Sequence, residues 1–410
     1  MEQRTAKSKI ILTGAVLFFC TLVLLLFRVH HPDGPIFDES IYIDLARSYL
    51  HRTLAPLDTE PIAFGRQHPP MGMYLIATGM RIAGDNPLGW RLASVLAGSF
   101  TASAMFLWTW TLLSDYELAL MAALLTLFNN FLYVMSRAAM LDGLMFAFAI
   151  WAVLAFTAAI QRETGITKRR CLIVACGLLF GLAGATKWNA VDCWAVVVAI
   201  AMLLWFTSDV RVREIGLRTL LLGLIAVPAV VYLVTFLPLF HAMQTTFSFD
   251  GLISLHKTMI SMTKAAHGNP TQFAPWYTWP LRTQPMRAFS YLLGNPVVMW
   301  GGLVAVVICV ARFAKRRALP EAMVAGLYAA NLLQWVVTPL KVPNYYYYFS
   351  AAMFLAPMLA VALSDPAPRR IWRMRPALVL TIASFVVFLY CYPRMAHLDA
   401  PWDCMFGCWN

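Results

Sequence analysis

Charged side chains are scarce in this sequence. Asp, Glu, Lys and Arg make up 13% of the 410 residues, whereas soluble domains carry about 25%. Hydrophobic residues make up 60% of the chain. This composition excludes an ordinary soluble domain and predicts an all-α polytopic membrane protein.

Several recognisable features are also missing. The eight cysteines form no CxxC pair, and there is no internal repeat, no low-complexity segment and no separate soluble domain. No glycine-rich loop that could cradle a nucleotide phosphate is visible. His68 lies near two acids, but no second histidine follows at metal-ligand spacing. We therefore expect neither a metal nor another cofactor.

The net charge of +12 could suggest a nucleic-acid partner. The basic residues come in short runs between apolar segments, a pattern typical of membrane orientation signals. We therefore expect membrane lipids as partners and no nucleic acid.

Hydrophobic segments long enough to cross a membrane recur along the chain. The first has a basic start and about 18 apolar residues; it lacks a small-residue cleavage site, which predicts an uncleaved first span. Lys187 interrupts one nearly continuous apolar region, and merging its two halves would leave ten spans. We expect about eleven spans, near 10–27, 89–112, 118–135, 143–160, 171–186, 190–206, 219–240, 291–311, 321–338, 346–363 and 376–392.

Eleven spans give a consistent orientation. Arg and Lys cluster in short loops, and such loops stay in the cytoplasm. The clusters fall within 4–9, 162–170, 211–218, 312–317 and 369–375, whereas the loop Ser114–Glu117 carries no basic residue. This predicts a cytoplasmic N-terminus.

Two long loops then lie outside, within a single domain of residues 1–410. The first spans about 28–88, and apolar residues at helical spacing in Ser40–Arg52 predict an amphipathic helix on the membrane surface. The second spans about 241–290 and has a polar, potentially helical part at Gly251–Ala266.

The acidic pair Asp38-Glu39 follows the first span. These acids could simply cap the following helix and favour its dipole. Asp38 could also act as a general base that takes a proton from an acceptor hydroxyl. Both roles can hold at once, and we expect Asp38 and Glu39 in the catalytic site.

Further polar candidates follow in outer segments. His68 precedes Pro69 and Pro70, which stiffen the chain, so His68 either marks a rigid loop exit or contacts a phosphate or sugar hydroxyl. Arg137 and Asp142 flank a short apolar turn. They could form a structural pair, or Arg137 could bind a lipid phosphate.

Lys187 could snorkel toward the membrane surface or bind an anionic ligand. Arg282, beside Trp276 and Trp279, could belong to an interfacial anchor or to a loop that contacts sugar or phosphate. Lys341 and Tyr345 belong to a cluster in which four consecutive tyrosines fit an aromatic belt.

All these candidates lie on the outer side in one orientation. Carboxylates suited to acid–base work together with several cations favour an anionic, membrane-borne substrate. Nucleotides are scarce outside the cytoplasm, so a lipid-phosphate donor is expected. The expected donor- and substrate-binding residues are His68, Arg137, Asp142, Lys187, Trp276, Trp279, Arg282, Lys341 and Tyr345.

Over about residues 35–350 the chain resembles the protein O-mannosyltransferases, membrane glycosyltransferases of the GT-C fold. The Trp-Tyr-Thr-Trp-Pro-Leu segment is the most specific of the shared motifs. The motifs are Asp38-Glu39, His68-Pro69-Pro70, Ser136-Arg137 with Leu141-Asp142, Thr186-Lys187-Trp188, Leu255-His256, Pro275–Leu281 and Gly294-Asn295-Pro296.

The resemblance implies eleven spans, an outer active site, a polyprenyl-phosphate mannose donor and a Ser/Thr acceptor on exported protein. It also implies inversion at the sugar carbon with Asp38 as base, and Arg137 as a donor-phosphate ligand. Met73 stands where members often have lysine, and Asn269–Phe273 stands where they often have His-Pro-Tyr. The β-trefoil module of eukaryotic members is absent, so the resemblance implies a bacterial-type enzyme of the inner membrane.

Other interpretations remain open. A lipid or glycan acceptor, as in the aminoarabinose transferases, is the nearest alternative, although that group typically has Lys-Pro-Pro in place of His-Pro-Pro. A lipid or solute transporter would place polar groups at the bilayer midplane and often show inverted repeats. A non-catalytic membrane scaffold would not need Asp38 beside the surface. At the end of the chain, Cys404 and Cys408 could form a disulfide or remain free thiols.

Overall fold

The structure, a computed structural model, describes residues 2–51, 67–161, 165–265, 274–286, 291–338, 344–364 and 370–398. Apart from an isolated bridge between Met286 and Leu292, the regular elements of these residues are helical. The first nine α-helices are α1 (Glu2–Leu26), α2 (Glu39–His51), α3 (Met71–Ala83), α4 (Pro87–Leu113), α5 (Tyr116–Leu127), α6 (Asn130–Met135), α7 (Leu141–Ala159), α8 (Ile166–Thr186) and α9 (Ala190–Phe206).

The second half continues in the same way. It comprises α10 (Val210–Arg213), α11 (Leu217–Leu221), a π-helix (Leu222–Ala226), α12 (Val227–Val234), α13 (Phe236–Ala242), α14 (Phe249–Ala265), a 3₁₀ helix (Trp276–Leu281), α15 (Pro296–Arg316), α16 (Leu319–Val337), a second 3₁₀ helix (Tyr345–Tyr348), α17 (Phe349–Met353), α18 (Leu355–Leu363) and α19 (Arg370–Met395).

The predicted all-α membrane architecture is confirmed, although the predicted number of spans is not. Within the described ranges, eight helical segments are long and apolar enough to cross a membrane, and two shorter apolar helices are Tyr116–Leu127 and Ala190–Phe206. Each of the eleven predicted segments overlaps a helix. The count of eleven spans therefore stays a prediction.

The helix ends differ from the predicted ones where an asparagine caps a helix. The predicted segment 118–135 is divided, because Asn129 accepts a hydrogen bond from the Phe131 backbone N–H and starts α6. The segment predicted at 291–311 begins instead at Pro296, with Asn295 as its cap. Near Lys187 the chain forms two helices, since α8 ends at Thr186 and α9 begins at Ala190.

Burial separates central helices from peripheral ones. In α7 and in Tyr345–Leu363, 83% and 89% of the most apolar stretch is buried in protein. In Leu217–Ala242 and Arg375–Met395 the share is 22%. Because lipid covers apolar surface as well as protein does, the peripheral helices keep their apolar residues outside.

The predicted surface helix is present as α2, and it packs on α3. Its inner face buries Tyr42, Ile43, Leu45 and Ala46. The start of α3 lies close to the start of α7 and the end of α8, since a Cβ on Gly72 would lie 2.4 Å from the Leu141 side chain and 3.3 Å from that of Thr186. This approach brings the first loop next to Asp142 and Lys187.

Candidate active site

Asp38 is the half-buried carboxylate at the centre of the site. Its Oδ2 accepts a hydrogen bond of 3.2 Å from the Tyr346 hydroxyl. Desolvation raises the pKa of Asp38 to about 6, against the opposing effects of the Tyr346 hydrogen bond and the positive charge of Lys187. Such a carboxylate is mostly ionised at neutral pH and is still basic enough to take a proton.

The residue before Asp38 has an unusual backbone. Phe37 has φ of 50°, in the left-handed region that a bulky residue rarely adopts. Its ring packs edge-on against Tyr346, with the centroids 5.4 Å apart. The aromatic contact thus holds a strained turn that directs Asp38 toward Tyr346.

Glu39 lies beside Asp38 in sequence but in a different environment. Its side chain is fully buried, and its two oxygens accept hydrogen bonds from Arg91 Nε at 2.9 Å and Nη2 at 3.0 Å. The same carboxylate accepts from the backbone N–H groups of Ile36 and Ala139. We expected Glu39 in the catalytic site, and these contacts instead suit a residue that fixes the loop around Asp38.

Arg91 was not among the sequence candidates. From α4 it also donates hydrogen bonds of 2.8 to 3.0 Å to the carbonyls of Val29, Pro32 and Gly34. The side chain therefore ties the loop between α1 and α2 to the bundle at four residues. An arginine inside a predicted apolar span is itself a signal of function or buried pairing, and it could have been found on that ground.

Lys187 and Asp142 form a buried ion pair. The Lys187 Nζ lies 2.8 Å from both Asp142 oxygens, and both side chains are at most 6% exposed. The same Nζ lies 5.6 Å from the Tyr346 ring centre and 5.0 Å from that of Tyr347. Lys187 thus has a carboxylate partner that is distant in the sequence, and this ion pair argues against the anionic ligand considered for Lys187.

His68 joins the same cluster through Tyr42, whose ring centre lies 6.1 Å away. Desolvation, followed by the positive charge of Lys187, lowers the pKa of His68 to about 3. The imidazole is neutral at working pH and can donate or accept a hydrogen bond without carrying charge.

Arg137 is not paired with Asp142. Its terminal nitrogens donate to the carbonyls of Phe27 and Arg28, the latter at 2.8 Å, and to the Tyr133 hydroxyl at 2.7 Å. Arg137 therefore braces the end of α1, and both terminal nitrogens are already engaged.

The 3₁₀ helix Trp276–Leu281 contributes further residues to the site. Trp279 is buried, and its indole donates to the Ala274 carbonyl at 2.7 Å, whereas Trp276 is half-buried. The 3₁₀ turn they share carries Arg282, which lies 5.0 Å from the Tyr345 ring centre. Arg282 is half-buried, and its Nε donates to the Gln284 carbonyl.

The tyrosine cluster behaves differently from an aromatic belt. Tyr345, Tyr346 and Tyr348 are at most 2% exposed, so they pack inside the protein instead of facing the membrane interface. Tyr346 and Tyr347 face Asp38 and Lys187, while the predicted Tyr345 lies under Arg282. Lys341, Cys404 and Cys408 lie outside the described residues.

The chain is similar in sequence and in fold to known proteins. Residues 85–244 match the sequence pattern of a family described as dolichyl-phosphate-mannose-protein mannosyltransferase. The chain is similar to this family over less than half of its length. It is a glycosyltransferase and an integral membrane protein.

Two relatives of this glycosyltransferase span most of its length. A polyprenol-phosphate-mannose–protein mannosyltransferase of Corynebacterium glutamicum is 23% identical, over 81% of this chain and 77% of that protein. The protein of the same name in Mycobacterium tuberculosis is 25% identical, over 86% and 80%.

Solved structures show the same fold. A chain of the S. cerevisiae Pmt1-Pmt2 protein O-mannosyltransferase complex, bound to the sugar donor, matches with a TM-score of 0.80 at 14% identity, over 98% of this chain and 92% of that chain. ArnT of Cupriavidus metallidurans, bound to undecaprenyl phosphate, matches with a TM-score of 0.61 at 18% identity, over 94% and 66%. The glycosyltransferase therefore has the GT-C fold predicted from its sequence.

Proposed function

We propose that this enzyme transfers mannose from a polyprenyl-phosphate donor to a Ser or Thr hydroxyl of an exported protein, on the outer face of the membrane, with Asp38 as general base. The observation that carries the proposal is the Asp38 carboxylate itself. It is half-buried and hydrogen-bonded by Tyr346, and its pKa is raised to about 6. The names of the relatives from Corynebacterium glutamicum and Mycobacterium tuberculosis support the donor and the acceptor class.

In the proposed step, the acceptor hydroxyl oxygen attacks the anomeric carbon of the sugar while Asp38 takes the hydroxyl proton. The bond between that carbon and the phosphate oxygen breaks, and polyprenyl phosphate leaves with the electron pair. Attack from the side opposite the phosphate inverts the anomeric configuration. Asp38 is a general base in this step and forms no bond to the sugar.

The donor phosphate needs a cation. Arg137 has both terminal nitrogens on protein acceptors, and Lys187 donates to both oxygens of Asp142. Among the described residues, Arg282 donates only through Nε, to the Gln284 carbonyl. We therefore assign the phosphate to Arg282, whose guanidinium matches a phosphate in geometry. Arg137 is left to hold the first loop.

The lysine–aspartate pair has a different role in this proposal. Lys187 supports the ionised form of Asp38 through its charge, and Asp142 opposes it. The two charges oppose each other, and desolvation remains the largest effect on the Asp38 pKa. His68, neutral at working pH, is suited to hydrogen-bond a hydroxyl of the sugar or the acceptor.

The direct test uses the full chain in lipid nanodiscs with polyprenyl-phosphate mannose and a Ser/Thr peptide. Asp38→Asn should reduce transfer by at least about 100-fold, the lower range for loss of a general base. Asp33→Asn is the matched control, because this carboxylate lies five residues upstream with its side chain 83% exposed, and it should retain full activity. Wild-type turnover in Asp38→Asn would rule out the assignment.

The acceptor and the donor sugar are tested in the same assay. ArnT has the same fold, so a polyprenyl-phosphate aminoarabinose donor with a lipid acceptor is the appropriate competitor. The proposal expects transfer of mannose to peptide and no transfer to lipid. Nuclear magnetic resonance of the product should show the anomeric configuration opposite to that of the donor, and retention would contradict the proposed step.

A further inference from the structure

A second group of polar residues lies between α9 and α16, around the first turn of α9. The Asn189 amide donates to the Gln334 side-chain oxygen at 2.7 Å. The Asn331 amide donates to the Cys193 sulfur at 3.4 Å and to the Leu327 carbonyl at 2.9 Å. No residue of this group belongs to the Asp38 cluster or to the motifs noted in the sequence.

Three polar atoms of this group have no hydrogen-bond partner among the described residues. They are Asp192 Oδ2, Asn331 Oδ1 and Trp335 Nε1. Their side chains are deeply buried, since the residues are 8%, 1% and 7% exposed. An unpartnered buried polar atom costs about 1–3 kcal/mol. One such atom is ordinary, but three on facing surfaces of two helices indicate that something else completes them.

The group lies directly behind the catalytic cluster. The indole of Trp335 stacks on Tyr347, with ring centres 4.7 Å apart and an interplanar angle of 21°. The Lys187 Nζ lies 5.0 Å from the centre of the same ring. Tyr347 therefore contacts Trp335 of this group and lies near Lys187 of the Asp38 cluster.

We propose that Asp192, Asn331 and Trp335 form a subsite that hydrogen-bonds the hydroxyl groups of the sugar on the lipid-linked donor. This inference rests on the proposed function, which supplies the class of ligand. The carboxylate and amide oxygens accept from sugar hydroxyls, and the indole N–H donates to a hydroxyl oxygen. A sugar presents donors and acceptors in alternation around one ring, which matches two acceptors and one donor.

The aromatic surroundings agree with this ligand. Trp335 packs on Tyr347 and, at 5.5 Å between centroids, on the edge of Trp279. Trp and Tyr rings combine large apolar faces with a hydrogen-bonding atom at the ring edge. Such faces suit the C–H side of a hexose. A free anion does not fit the subsite, because Asp192 contributes a carboxylate and the group contains no cation.

The test compares binding of donors that differ by one hydroxyl. The probes are polyprenyl-phosphate mannose, its 2-, 3-, 4- and 6-deoxy forms, and polyprenyl phosphate without sugar, added to the full chain in nanodiscs. The variants are Trp335→Phe, which keeps a ring and removes the N–H, and Asp192→Asn. Val191→Ala is the control, because Val191 is adjacent in α9 and 51% exposed toward the outside of the bundle.

Trp335→Phe and Asp192→Asn should each weaken binding of the complete donor about tenfold, the effect of one lost hydrogen bond. For each variant, one deoxy donor should bind as tightly as it does to the wild type. That donor already lacks the hydroxyl whose hydrogen-bond partner the substitution removes. Binding of polyprenyl phosphate should not change. A uniform loss for all donors and for polyprenyl phosphate would mean a structural contact and would overturn the inference, as would no loss at all.

The readouts separate this inference from the proposed function. Binding is measured by ligand-induced thermal stabilisation, which does not require turnover. Absence of transfer by the wild type would refute the proposed function, while the deoxy-donor pattern would still decide the subsite. If Asp192→Asn does not fold, Trp335→Phe and the wild type with deoxy donors decide the question by themselves.

Discussion

Arg91 and Glu39 form a bidentate ion pair in which neither side chain is exposed to solvent. The two hydrogen bonds measure 2.9 and 3.0 Å and join residues 52 positions apart. The pair fixes the loop that ends at Asp38, because Arg91 also binds three carbonyls of residues 29–34. The position of the loop before Asp38 therefore depends on a residue of α4.

Breaking this pair should be costly. Arg91→Met leaves the Glu39 carboxylate buried without its charged partner, which typically costs about 3–5 kcal/mol. We expect a large drop in melting temperature and in kcat. Arg47→Met is the control, because the side chains of Arg47 and its partner Asp85 are 38% and 44% exposed. Loss of this exposed pair should lower the free energy of unfolding by less than about 1 kcal/mol. Equal melting temperatures for the two variants would contradict the structural role of Arg91.

The pH dependence of kcat/KM should report the free-enzyme base. Asp38 must be ionised to accept a proton, so activity should fall about tenfold per pH unit below its pKa of about 6. His68, with a pKa of about 3, should add no transition between pH 5 and 8. We therefore expect His68→Asn to keep the midpoint of the profile, and a midpoint that moves in this variant would assign the titration to His68.

Asp38 should also make the wild type less stable at neutral pH than at acidic pH. Its folded-state pKa is raised above the ordinary aspartate value of 3.8, so the folded protein holds the proton more tightly than the unfolded chain. The destabilising effect of ionisation is absent below about pH 4 and complete above about pH 6. Asp38→Asn should accordingly have an equal or higher melting temperature at pH 8, and this advantage should vanish near pH 4. A lower melting temperature at pH 8 would show that the carboxylate is a structural contact.

The Lys187–Asp142 pair offers a double-mutant test. Lys187→Met or Asp142→Leu alone leaves one charge buried and should destabilise by about 3–5 kcal/mol. The double variant removes both charges and should recover much of the stability. It should shift the Asp38 pKa less than Lys187→Met alone, because the two lost charges act on Asp38 in opposite directions. Thermal unfolding and turnover of all four proteins measure the coupling. Additive losses would mean that the two residues do not interact.

Arg282 and Arg137 should differ in their kinetic effects. Arg282→Gln removes the proposed phosphate ligand, so the donor KM should rise by about tenfold or more. Arg137→Gln removes contacts to the end of α1, so stability and kcat should fall while the donor KM stays within about twofold. Steady-state kinetics with varied polyprenyl-phosphate mannose distinguishes the two, and the reverse pattern would return the phosphate to Arg137.

Local sequence signals predicted the membrane class and the positions of most helices. These properties depend on runs of hydrophobic residues and on short motifs, which are read from neighbouring positions. The surface helix around Tyr42 and Leu45 is one such case, because its apolar spacing alone predicts it. The likeness of Asp38-Glu39 and Trp276–Leu281 to a known family also needs only short stretches of sequence.

The partners of the charged residues could not be predicted in this way. Lys187 and Asp142 lie 45 positions apart, and Tyr346 lies 308 positions from Asp38. Tyr346, and not the predicted Tyr345, contacts Asp38. The sequence could not distinguish the two, because the direction of each ring in a 3₁₀ turn depends on what packs against it. Arg91 was overlooked because hydropathy averages a single arginine into its apolar span.

The sequence by itself determined that this chain is a helical membrane protein with an acidic pair after its first span, since hydrophobicity and local motifs are properties of adjacent residues. Only the tertiary structure decided that Glu39 is held by Arg91 while Asp38 remains available beside Tyr346. The physical reason is that burial and charge pairing join residues distant in the chain. These interactions give two neighbouring carboxylates different environments and therefore different roles.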